Sequence, residues 1–113
     1  MDDVIKEMEK YAEEKGIPIM QKRGINFLCK FIEKNNIKSI LEIGTAIGYS
    51  AINMALTSDD ITVVSIERDQ DRYIEAIKNI KKCKLEKRIT LVLGDALNID
   101  LTGKYDMLFM IIY

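Results

Sequence analysis

The sequence has no histidine and no tryptophan, a single proline (Pro18) and two cysteines. Without histidine the chain cannot build a Ser–His–Asp or Cys–His nucleophile, nor a His-ligated zinc site. Cys29 and Cys83 lie far apart, without Cys-x-x-Cys spacing, and read as two reduced thiols. An excess of charge of either sign is also lacking. Seventeen basic residues against eighteen acidic ones leave a net charge of −1, which gives no whole-chain attraction to nucleic acid or to an anionic membrane. No apolar run reaches bilayer length, and MDDVIKEMEK at the amino terminus shows no signal-peptide pattern. The cytoplasm is the expected compartment, with no membrane partner.

What is present is a 48% apolar chain of 113 residues, enough for one domain with one core. Asp2 or Asp3 caps a first helix to about Lys15, with Val4, Met8 and Tyr11 on one face; Gly16 and Pro18 stop it. After a short connector, a second helix covers 21–35 with Ile25, Leu28, Phe31 and Ile32 as its apolar face. Apolar runs at 39–43, 61–66, 88–93 and 105–112 read as strands. Between them fall a helix over 49–56 and one from Asp69, as cap, to Lys82, with Tyr73, Ile74, Ile77 and Ile80 on its core side. The alternation predicts an α/β fold, a Rossmann-like parallel sheet with helices on both faces. Residues 1–36 form a helical part and 37–113 the β/α part of one unit.

The organising stretch is Ile40–Ala51, ILEIGTAIGYSA. Gly44 permits a tight turn and close approach of a ligand, and Gly48 permits close packing at the helix entry. Glu42 is an acid within an apolar strand, which demands a partner. In open α/β sheets ligands bind beyond the carboxyl ends of the strands. The first strand ends in GTAIG, whose helix-start amides suit an anionic group. The second ends in Glu67, placed to accept from ribose hydroxyls, and the third in Gly94-Asp95-Ala96, placed to border a base. Together these predict an adenosine-containing ligand. Dinucleotide sites favour GxGxxG, whose middle glycine admits a pyrophosphate, but here that position is Ala46. A ligand without pyrophosphate, S-adenosylmethionine, fits better.

LEIGTAIGYSA, IERD after the second strand, LGDA, and AEEKGIPIMQKRGINFL upstream resemble the class I S-adenosylmethionine-dependent O-methyltransferases of the catechol and caffeoyl-CoA type. Within these the chain most resembles the bacterial tRNA 5-hydroxyuridine methyltransferase branch. The resemblance implies strand order 3-2-1-4, the amino-terminal half of that fold, and methyl transfer to a hydroxyl of a small molecule or tRNA. It implies that Gly44, Thr45 and Ala46 line the methionine part of the cofactor, that Gly48 belongs to the same cofactor-binding set, and that Ser50 helps hold the carboxylate end. Glu67 takes the ribose, Asp95 and Ala96 border the adenine, and Met20 lies near cofactor and acceptor. Glu42 is tied to backbone or to the cofactor's amino group.

The family's fourth strand carries an Asp that binds a divalent metal, Mg in the family, and activates the acceptor. Here that position is Ile111, so no metal is expected. The acceptor half is expected to be missing and activity impaired, with MLFMIIY left as an apolar edge that pairs copies into a homo-oligomer. Lys78, Lys81, Lys82, Lys84, Lys87 and Arg88 read as a solvated basic face, Lys22 and Arg23 as solvated or phosphate-contacting side chains, and Tyr49 as packing. Two alternatives remain: a non-catalytic S-adenosylmethionine-binding or oligomerising module, and, disfavoured by Ala46, a nicotinamide-dependent oxidoreductase fragment.

Overall fold

A computed structural model of the chain describes residues 2–96 and 103–111. The elements run α1 (Asp2–Lys15), α2 (Lys22–Lys34), β1 (Ser39–Ile43), α3 (Tyr49–Ala55), β2 (Thr62–Glu67), α4 (Gln70–Lys82), β3 (Ile89–Leu93) and β4 (Met107–Met110). The fourth strand is shorter than its apolar run. Tyr105 and Asp106 precede it, and Ile112 lies outside the described residues.

Three helices end alike. After α1, α2 and α4 one residue takes a left-handed backbone: Gly16 (φ 64°), Asn36 (φ 53°) and Lys84 (φ 57°). In each case the next amide reaches back to the helix, Ile17 to Ala12, Ile37 to Ile32 and Leu85 to Ile80, at 2.9–3.1 Å. That is the Schellman closure, which satisfies carbonyls the helix leaves open. At the other end of α4, the Asp69 carboxylate accepts from the Arg72 amide at 3.0 Å, as expected for its cap.

The strands form one parallel sheet in the order β3-β2-β1-β4. Asp106 fixes the start of β1 beside β4. Its carboxylate accepts the Lys38 and Ser39 amides at 2.8 and 3.2 Å, and these bonds, Lys38's first, hold its pKa below the ordinary value.

All four helices feed one apolar cluster, through Met8, Ile25, Ile32, Ile52 and Ile80 among others. The strands reach it by alternate residues: Ile40, Val63 and Ile89, with Leu91, Met107 and Phe109 at its margin. The other alternation, including Leu41, Ile43, Val64, Ile66, Leu108 and Met110, stands outside that cluster on the opposite face. Leu108 and Met110 there are 60% and 52% exposed. The described helices therefore cover one face of the sheet, where helices on both were expected, since both crossovers, α3 and α4, join the same cluster.

Some expected core positions differ in the same way. Phe31 and Ile74 are exposed. The buried stripe of α2 is Ile25, Leu28 and Ile32, all expected, and that of α4 is Ile80, also expected, with Ala76 and Asn79, a small and a polar residue that periodicity of large apolar side chains does not mark. Arg88 also leaves the basic face assigned to it. Its Nη1 donates to the carbonyls of Ala55, Ser58 and Ile61 at 2.9, 2.7 and 3.3 Å, closing the end of α3.

Candidate functional site

The carboxyl ends of β1, β2, β3 and β4 surround a cavity of about 440 Å³. Ile43, Gly44, Ile66, Glu67, Gly94, Asp95, Ala96 and Ile111 line it, with Arg68, Arg72 and Met110. Four of the sequence-predicted residues, Gly44, Glu67, Asp95 and Ala96, thus meet in one place. Arg68 and Arg72 were not anticipated, because an arginine beside a helix cap carries no pattern of its own.

Glu67 is the best-defined group there. It is buried, with Oε1 accepting the Ala46 amide at 2.7 Å and Oε2 accepting the Asp69 amide at 2.9 Å. Each carboxylate oxygen has lone-pair capacity beyond its amide, so the carboxylate can hold the Gly44–Gly48 turn and still accept from two further hydroxyls. The turn is built for this. Gly44 (φ 95°), Ala46 (φ 51°) and Gly48 (φ 92°) all lie in the left-handed region, and Ala46 does so without glycine's freedom. That strained residue is the one whose amide Glu67 holds.

The space left by Gly44 is not open. A Cβ there would come 3.0 Å from the Ile111 carbonyl oxygen, so the close approach is made by the chain after β4 and not by a ligand. At Gly48 the neighbour is Ala76 of α4, 3.5 Å from a built Cβ, which fits the close packing expected at the helix entry.

Behind the turn lies a buried polar chain. Glu42 is fully buried, and its carboxylate accepts from the hydroxyls of Ser65, at 2.6 Å, and Ser50. The Thr45 and Ser65 hydroxyls are 2.5 Å apart. Burial pushes the Glu42 carboxyl up to about 7; the Ser50 and Ser65 bonds oppose this, and the nearby Glu67 charge adds to it. Glu42 is therefore tied to two hydroxyls, where a tie to backbone or to a ligand amine was expected. Thr45, Ala46, Gly48 and Ser50 are buried around the turn, outside the cavity wall, and Ser50 points at Glu42. Met20 is half-buried against the apolar cluster and also off the wall. Tyr49 packs in the core, as expected, with its hydroxyl donating to Glu9 at 2.5 Å.

An acid-terminated second strand, a left-handed turn after the first and a cavity across the strand ends stand where open α/β sheets take their ligands. Residues 1–110 match the O-methyltransferase family, and the chain belongs to that family. It is 36% identical to a Staphylococcus aureus protein provisionally described as a caffeoyl-CoA O-methyltransferase, with TM-score 0.88 over 92% of this chain and 51% of that one. A Bacillus cereus O-methyltransferase solved with S-adenosylhomocysteine is 25% identical, with TM-score 0.85 over 97% and 54% of the two chains. The flavonoid 3',5'-methyltransferase of Vitis vinifera is 28% identical over 94 residues, 82% of this chain and 39% of that enzyme. The chain thus spans about two fifths of that enzyme and half of the two solved chains.

Proposed function

We propose that the chain binds S-adenosylmethionine at this cavity and presents its methyl group for transfer to a hydroxyl acceptor. The observation that carries the reading is Glu67: a buried carboxylate anchored by two amides, on the wall of a cavity that also holds Asp95 and Ala96. Glu67 accepts from the ribose hydroxyls, Asp95 and Ala96 border the base, and Gly44 stands at the methionine side. Thr45, Ala46, Gly48 and Ser50 shape that side from behind, and Met20 lies further back, toward the helical part. The complex of the Bacillus cereus relative with S-adenosylhomocysteine supports the ligand class.

Transfer from a sulfonium to an oxygen depends on holding the two in line and close, and the chain's contribution is to fix the donor. Resemblance places a divalent cation at Ile111, whose hydrocarbon side chain offers it no ligand. Among the described residues no three His, Cys, Asp or Glu side chains come together to hold one. These residues do not fit the cation, and no step is routed through it. The acceptor class is a hydroxylated small molecule or a tRNA hydroxyuridine; exposed Lys22 and Arg23 at the start of α2 are the phosphate contacts for the latter. A chain of these 113 residues associates with its own copies along β4, whose Leu108 and Met110 stand exposed on the face that no described helix covers. A binding or oligomerising module without turnover rests on the same cavity.

Calorimetric titration tests the ligand. S-adenosylhomocysteine binds saturably and NAD does not, and Glu67→Ala weakens binding by about tenfold or more, as loss of charged hydrogen bonds requires. Equal binding of NAD overturns the reading.

A further inference from the structure

The four strand ends divide the cavity into two unlike sides. Neighbouring strands of a sheet lie about 4.8 Å apart. With the order β3-β2-β1-β4, Asp95 after β3 and Glu67 ending β2 therefore leave their strands about 14 Å and about 10 Å from β4. On the β4 side the wall is hydrocarbon and thioether, from Ile43, Met110 and Ile111. The Ile111 carbonyl closes it against the turn, 3.0 Å from where a Cβ on Gly44 would stand.

Among the described residues no other acid lines the cavity. Glu42 is buried and accepts from Ser50 and Ser65. The Asp69 carboxylate is taken by the Arg72 amide. Asp106 sits at the far end of β4 from Ile111, on the Lys38 and Ser39 amides. A magnesium-type ion needs several oxygens converging within about 2.1 Å of one point, and a thioether is too soft a ligand for it. Carboxylates two and three strands away do not converge on Ile111, and Arg68 and Arg72 on the same wall repel a dication.

The consequence falls on the acceptor. The β4 side offers neither a cation to lower the pKa of a hydroxyl nor a carboxylate to take its proton. A phenol of ordinary pKa is ionised to only about 0.3% near neutral pH. Attack by a neutral hydroxyl leaves a proton on the new ether oxygen, with no side chain on that side to receive it. Attack by an anion leaves none: the oxygen lone pair forms the carbon–oxygen bond, and the carbon–sulfur bond breaks with its pair kept by sulfur as a neutral thioether. We propose that this cavity binds its methyl donor without a divalent cation and serves an acceptor hydroxyl acidic enough to arrive already ionised. The inference rests on the reading of the cavity as an S-adenosylmethionine site and narrows its acceptor class.

Calorimetric titration with S-adenosylhomocysteine, in magnesium and in EDTA, gives affinities that agree within about twofold. If it binds only with magnesium, the cavity reading stands and the proposal alone falls. If it binds in neither buffer, the cavity reading fails and the proposal with it. Electron paramagnetic resonance of Mn2+ gives an independent readout: the free-ion signal keeps its amplitude when protein and S-adenosylhomocysteine are added, and tight uptake of one ion per chain overturns the proposal. Methyl transfer in EDTA tests the acceptor. With 4-nitrophenol and the less acidic 4-cyanophenol, rates rise about tenfold per pH unit and level off at each phenol's own pKa. A break at one pH shared by both phenols assigns the proton to a group of the protein and overturns the acceptor class, as does transfer to neither.

Discussion

Glu42 carries a consequence for stability that is separate from ligand binding. Its pKa is about 7 in the folded chain against an ordinary 4.5. The raised value means that the folded state holds the proton more tightly than the unfolded state. The stabilisation is complete below the ordinary value and is lost as pH rises through about 7, a change of roughly 3 kcal/mol. Urea unfolding midpoints of the wild type fall over that window, whereas those of Glu42→Gln stay level. Lys84 offers a second test. It holds φ 57° where Gly16 serves after α1, and a left-handed backbone disfavours any side chain. Lys84→Gly raises stability by about 0.5 kcal/mol after allowing for the looser unfolded chain, read as a higher urea midpoint. At this scale the sequence was half readable. An acid in an apolar strand announced that Glu42 needs partners, but its partners are serines, which occur everywhere and mark nothing.

Among the elements, the fold depends on joints that periodicity does not show. The alternation of apolar runs placed all four strands and four helices within a residue or two, apart from the shorter β4. Arg88 was hidden in a run of lysines, and only the structure shows its guanidinium on three carbonyls at the end of α3. Arg88→Ala removes its bonds to all three, leaving Ser58 only the Ile61 amide, and lowers stability by about 1–3 kcal/mol. Arg88→Lys, with one compact ammonium, restores part of it. An equal loss in both variants shows that a lysine ammonium does not replace Nη1 at the three carbonyls. Helix faces were less readable, because large residues such as Phe31 and Ile74 sit outside while Ala76 and Asn79 sit inside. Close packing of α4 at Gly48 favours the small ones.

Across the molecule the sheet has two unlike faces. One carries all the described helices; on the other lie buried Leu41 and Ile66, half-buried Ile43 and Val64, and exposed Leu108 and Met110. Parallel sheets are ordinarily covered on both faces, which supports the proposed association of copies through exposed Leu108 and Met110. Light scattering of the 113-residue chain shows oligomers, and the double substitution Leu108→Glu with Met110→Glu yields monomer; a monomeric wild type contradicts the association.

The site was legible where it depends on strand ends, since Gly44, Glu67, Asp95 and Ala96 share one cavity. It was illegible at Ser50 and Thr45, whose hydroxyls turn into the buried chain. The central claim is that this cavity holds the adenosine of S-adenosylmethionine. Amide chemical-shift mapping with S-adenosylhomocysteine tests it most directly. The account predicts the largest shifts at Gly44, Glu67, Gly94 and Ala96, with α1 unmoved. Shifts concentrated elsewhere, or none at saturating ligand, would contradict it.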